Sequence, residues 1–212
     1  MGINLISGVN LTFTPFLKSL FFKKKGDIIV FKMKYRYFSI DCEFSGLDHT
    51  KYDLISIGII EIQNNIPRRD RVFYLELKPQ HRAFDGESMK INGLNFDNLY
   101  RFGTEPKKAC KEIIHFLDLK KDEIAVFIGY CCVLDKIYTD QLFMLGNVKN
   151  PFPYEIIEIS SLAIGKLNLE YGFSESELEK KLNITPMDED KKHNALNDAI
   201  HQAEEYCKLM SV

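Results

Sequence analysis

Residues 35–42 (YRYFSIDC) and 53–63 (DLISIGIIEIQ) are two apolar runs rich in β-branched and aromatic residues, the make-up of buried sheet strands. The first runs into Asp41-Cys42-Glu43, which puts two carboxylates two positions apart at the end of an apolar strand. Side chains alternate along a strand, so both acids project from one face. Placed together there, they repel and lose solvation unless that strand end faces water or a cation sits between them. Few folds accommodate that arrangement in a central strand.

The rest of the pattern predicts how the strand is covered. Asn64-Asn65 reads as a hairpin turn into a third strand at 70–78 (DRVFYLELK). Residues 79–92 read as a loop with turn residues Asp85-Gly86, and 94–101 as a short helix. Pro106 opens a helix with Ala109, Ile113, Phe116 and Leu117 at helical spacing. Residues 124–130 (IAVFIGY) suit a central strand, 135–145 a helix and 155–160 a further strand. Ser174, with Glu177 three positions on, has the form of a capping box for a helix to Leu182. The final helix begins near Asn194 with Ala195, Ala199, Ala203, Tyr206 and Met210 on one face. Three meandering strands followed by alternating helices and strands predict an α/β fold, a mixed central β-sheet flanked by α-helices.

At 212 residues the chain is most economically a single domain over 34–212, preceded by an extension at 1–33. That extension, read as disordered or spurious, has a broken apolar run and lysines after it, which is not the form of a secretory signal. Organelle targeting by it stays open. No apolar run reaches the roughly 20 residues of a membrane span. Five scattered cysteines without a CxxC pair point to reduced thiols in an intracellular, cytoplasmic setting. The net charge of −2 divides into +4 over residues 1–32 and −6 over the remainder. An acidic body argues against a long, salt-sensitive duplex footprint. It is compatible with a grip on a few nucleotides, because bound dications reverse the charge of a carboxylate site.

Three further residues stand out. Asp135 opens a helix just beyond the 124–130 strand, near the carboxyl end where α/β sheets place ligands. The macrodipole alone also favours an acid there. His193 and Asp198 are five residues apart, which on one continuous helix would send their side chains apart. With the helix starting near Asn194, His193 lies on the preceding loop, free to fold back toward Asp198. A histidine can then take a proton from water beside an aspartate that holds a metal, or both can simply be solvated.

The order acid-x-acid, acid, His-x4-acid resembles the DEDDh branch of the DEDD 3′–5′ exonuclease superfamily. FSIDCEFSGLD is similar to its first motif, GYCCVLDKIY to its second and HNALNDAIHQAEEY to its third, with the likeness spanning roughly residues 35–210. EIIEISSLAIGKL resembles its fourth core strand and following helix. Two departures stand in the sequence: Gly129-Tyr130-Cys131 replaces the usual Gly-His-Asn, and Glu158 stands where an Asp often ends the fourth strand.

The resemblance implies a ribonuclease H-like fold. It also implies that Asp41, Glu43, Asp135 and Asp198 ligate two Mg²⁺ or Mn²⁺ ions, with His193 as general base. Glu43 would contact the terminal 3′-hydroxyl. Phe44, Gly46 and Leu47 would form a turn that grips the last nucleotide, unless they serve only to pack it. The implied partner is a single-stranded nucleic acid 3′ end, DNA or RNA, releasing 5′-mononucleotides. A homodimer or a polymerase partner is compatible with the chain, as is a non-catalytic or partner-dependent binding subunit on the same fold. His49, His81, His115 and His201 carry no such context and read as surface or helix residues.

Overall fold

Strand β3 (Lys34–Phe44) lies in the middle of a five-stranded mixed sheet. It pairs antiparallel with β4 (Leu54–Gln63), which pairs antiparallel with β5 (Ile66–Glu76). On its other side it runs parallel to β6 (Glu123–Gly129), which is parallel to β7 (Ile156–Glu158). The spatial order is therefore β5-β4-β3-β6-β7. The computed structural model describes residues 33–212 and the backbone of a small antiparallel pair, β1 (Phe22–Lys24) with β2 (Asp27–Ile29). The expectation of a disordered or spurious extension over 1–33 otherwise lies outside the described residues.

Both faces of the sheet are covered. Phe38, Ile40 and Cys42 of β3 pack beneath α3 (Pro106–Leu117) and α4 (Val133–Leu145), against Ala109, Ile113, Leu117, Tyr138 and Phe143. Ile60, Ile62 and Ile128 on the opposite face pack beneath α5 (Ile159–Leu167), α6 (Glu175–Leu182) and α7 (Ala195–Ser211). Burying each such Ile or Phe stabilises the fold by roughly 1.5–3 kcal/mol. Alternation puts Tyr37, Ser39, Asp41 and Glu43 on the α7 side. That side of β3 is therefore apolar at one end and acidic at the other.

Most of the predicted elements are present, with instructive differences. The hairpin turn holds Asn64 and Asn65 at φ 52° and 60°, as a two-residue turn with two left-handed positions requires. Its second strand begins at Ile66 instead of 70, and tolerates Pro67 because β5 is an edge strand. Residues 79–92 are not all loop: α1 (Gly86–Asn92) occupies the second half, capped by Asp85 and ended by Gly93 at φ 67°. It is followed by α2 (Phe96–Phe102). The strand expected over 155–160 stops at Glu158, whose side chain accepts from the Ser160 and Ser161 amides and starts α5. The Ser174–Glu177 capping box is formed in both directions. Met210 is half-exposed, so the apolar stripe of α7 ends with Leu209 and Tyr206.

Candidate active site

The acidic end of β3 opens into a cleft of about 270 Å³ lined by Asp41, Glu43, Phe44, Asp135, His193 and Asp198. Each arrives by a different local route. Asp41 and Glu43 leave one face of β3 while Cys42 between them is buried in the opposite core. Asp135 sits in the first turn of α4 and is 8% exposed. Asp198 sits at the start of α7, whose N-cap is Asn194. His193 is exposed on the loop before that cap, at φ 59°, and its charge acts on Asp198.

Helix α7 comes this close to β3 because of Gly58. Gly58 is the β4 partner of Asp41 in the strand register. A Cβ there would lie 2.1 Å from the carbonyl oxygen of Ala195, so only glycine lets the first turn of α7 rest on the sheet.

The electrostatics are those of acids crowded out of water. Burial, then the charges of Asp135, Asp198 and Glu43, hold the Asp41 carboxyl well above its ordinary range. Burial, then Asp198 and Asp135, push Glu43 up to about 8. Burial raises Asp135, against hydrogen bonds that favour its ionised form. Burial raises Asp198 to about 6 while His193 pulls it down. Donor oxygens of Asp41, Glu43 and Asp198 lie within 4.8 Å of one another. A set of carboxylates that repel one another in a half-buried cleft, with only oxygen donors, fits hard divalent cations.

The surrounding residues fix this set. Gln202, one turn after Asp198, donates from Nε2 to Asp41 Oδ1 at 2.7 Å and accepts from the Tyr130 amide at 3.1 Å. Glu158 accepts from the Cys131 amide at 2.9 Å, tying the loop before Asp135 to α5. Cys131 itself is at φ 50°. Phe44 stacks on Tyr138 with ring centroids 4.3 Å apart and still lines the cleft. Gly46 and Leu47 lie outside the lining. The Gly46 carbonyl accepts the Tyr138 hydroxyl, and Leu47 is 67% exposed. Helix α1 braces this turn, since Asn92 donates to the Phe44 carbonyl and the Asp85 amide to that of Ser45.

The sequence reading missed three cleft residues, Gln202, His201 and Glu175. His201, expected at the surface or on a plain helix face, is 8% exposed and paired with Glu179. A signal for it existed: 198, 201, 202 and 205 form a polar stripe at helical spacing beside the apolar one. A larger concavity of about 850 Å³ elsewhere contains Glu61 and Glu123, but both pair with Arg36.

The known exonuclease family RNase_T matches residues 38–206, nearly the whole described sheet and its helices. The chain belongs to that family of exonucleases. It is 28% identical over 171 residues to the 3′–5′ DNA exonuclease Cap18 of Escherichia coli, covering 79% of this chain and 88% of that protein. Its fold resembles the nuclease domain of 3′hExo, a DEDDh family member bound to rAMP, with TM-score 0.70 and 12% identity over 83% of this chain and 92% of that one. It also resembles E. coli Exonuclease I in complex with a dT13 oligonucleotide, with TM-score 0.63 and 14% identity over 84% of this chain and 41% of that one. The ribonuclease H-like fold expected from the motifs is thereby shown. Among the described residues, no helix is long and apolar enough to cross a membrane.

Proposed function

We propose that the chain removes 5′-mononucleotides from the 3′ ends of single-stranded nucleic acid, DNA ahead of RNA. The observation that carries this reading is the convergence of four carboxylates and His193 in one cleft. The likeness to Cap18, a DNA exonuclease, favours DNA. Asp41, Glu43, Asp135 and Asp198 would hold two Mg²⁺ or Mn²⁺ ions. When bound, such ions acidify water and neutralise charge on the scissile phosphate.

The chain's own groups do the rest. His193 accepts a proton from the attacking water, and its exposed loop gives it access to that water. The new bond joins the water oxygen to phosphorus, and the bond to the 3′-oxygen of the preceding nucleotide breaks. That oxygen leaves protonated from solvent. Glu43 accepts a hydrogen bond from the terminal 3′-hydroxyl, which selects an end over an internal bond. The Phe44 ring offers a stacking face that is indifferent to sequence, and the exposed Leu47 side chain presses on the bases at the end. Gly46 holds the turn against Tyr52 and Tyr138.

The test is release of mononucleotides from 3′-labelled single-stranded DNA and RNA with Mg²⁺ or Mn²⁺, against EDTA. EDTA-sensitive release, faster on DNA, is expected. Release of internal fragments, or none with either metal, would overturn the proposal.

A further inference from the structure

Helix α7 presents more polar residues than the Asp198 site uses. His201 and Glu205 stand one turn apart on it, and Glu175, the first residue of α6, comes up beside them. One donor atom from each lies within 4.8 Å of the others. Nitrogen and carboxylate donors bonded to one ion at about 2.0–2.2 Å fall within such a span.

Glu205 makes the cluster more than a group of acids. Its side chain is 0% exposed, and neither of its carboxylate oxygens has a hydrogen-bond partner among the described residues. A buried carboxylate left without partners is costly and rare in a native fold. Burial, then the charges of Glu175 and Glu179, push its carboxyl up to about 9. His201 supplies the second sign. It is buried, and its Nε2 lies 2.9 Å from Oε1 of Glu179, which is itself 5% exposed. An imidazole oriented by a carboxylate through one ring nitrogen keeps the other available, the usual support of a metal-binding histidine.

We infer that Glu175, His201 and Glu205 form a zinc site, distinct from the carboxylates that line the cleft on the β3 side. One imidazole with two carboxylates suits Zn²⁺ better than Mg²⁺, which prefers oxygen alone. Glu179 is its positioning residue, holding the His201 ring. Glu175 and His201 also line the cleft of Asp41 and Asp198, so the site adjoins the space a substrate would enter.

The test is zinc binding by the full-length chain after EDTA treatment, read by competition with a chromophoric chelator and by metal content after dialysis. An Asp41→Asn/Asp198→Asn background removes two of the four carboxylates proposed to hold metal in the first site, so the readout does not depend on nuclease activity. That background is expected to retain one Zn²⁺ per chain. Adding Glu205→Gln should weaken binding about 100-fold or more, and Glu179→Gln about 10-fold. Glu175→Gln, at an exposed helix start where folding is not at stake, should weaken it in the same direction as Glu205→Gln. No zinc in the background chain would overturn the site, as would Glu175→Gln and Glu205→Gln chains that bind as tightly as their parent.

Discussion

Gln202 Nε2 donates to Asp41 Oδ1 at 2.7 Å, and the same side chain accepts the Tyr130 amide at 3.1 Å. The amide group thus links the first carboxylate of the cleft to the end of β6, where the loop to Asp135 begins. It also favours the ionised form of Asp41 against the burial that opposes it. Replacing Gln202 with Leu should weaken Mn²⁺ binding about 10–100-fold, the range typical of residues that orient metal ligands. Calorimetric titration of the metal-free chain measures this directly, and an unchanged affinity would remove Gln202 from the site's support.

Removing the metal should make stability fall as pH rises. Ordinary values are 3.8 for Asp and 4.5 for Glu, whereas in the fold Asp198 is raised to about 6 and Glu43 to about 8. Asp41 and Asp135 shift the same way. The folded state therefore holds protons that the unfolded chain has already lost. Their contribution is complete below the unfolded values near 4 and is lost as pH climbs through about 8. In EDTA, Tm should drop between pH 5 and 8, and added Mn²⁺ should restore most at the upper end, where ions meet carboxylates already ionised. A Tm in EDTA that rises over this range would contradict the sign.

His193→Asn should separate chemistry from stability. Asparagine adopts left-handed backbone more readily than most residues, so the φ of 59° is kept. The side chain is exposed, and its loss should move stability by no more than about 0.5 kcal/mol. The rate of mononucleotide release should fall about 10²–10⁴-fold, as expected for loss of a general base. Single-turnover rates beside urea unfolding midpoints would expose a variant that lost both together.

Gly58→Ala tests the approach of α7. The added methyl would meet the Ala195 backbone at 2.1–2.3 Å, and backbone cannot turn aside as a side chain does. We expect a loss of about 1–3 kcal/mol from overpacking, with a matching fall in metal affinity as Asp198 moves. Gly86→Ala is the control, since a Cβ at that helix start meets nothing within 4 Å. Equal unfolding midpoints for the two variants would show that the contact is not limiting.

The parts of this fold that could be read in sequence are those where one physical signal acts alone. β4 is buried on both faces, so its apolar run is continuous and unambiguous. The α7 start was legible because the alanine stripe and Asn194 agree. Helix α1 was not, because Asp85-Gly86 is as good a turn as it is a cap, and none of the seven helical residues is buried. The strand at 155–160 was overextended because Glu158 ends a strand and caps a helix at once. Within the site, Asp41, Glu43, Asp135, His193 and Asp198 were found from motif order, and the structure brings them into one cleft. Gln202, Glu175 and His201 were passed over, because a polar residue beside an apolar stripe looks like a solvated face until neighbouring helices bury it.

Asp41 and Asp198 come from the first strand of the main sheet and from α7, the last described helix. A chain still on the ribosome has the first two acids long before it has the last acid and the histidine. At about 5–20 residues per second, the interval is on the order of ten seconds. Throughout it the growing chain carries two of the acids of the cleft without the two residues that α7 and the loop before it supply. Because α7 must be made, folded and seated against Gly58 before the cleft is complete, the site comes into being only once nearly all of the described chain has been synthesised.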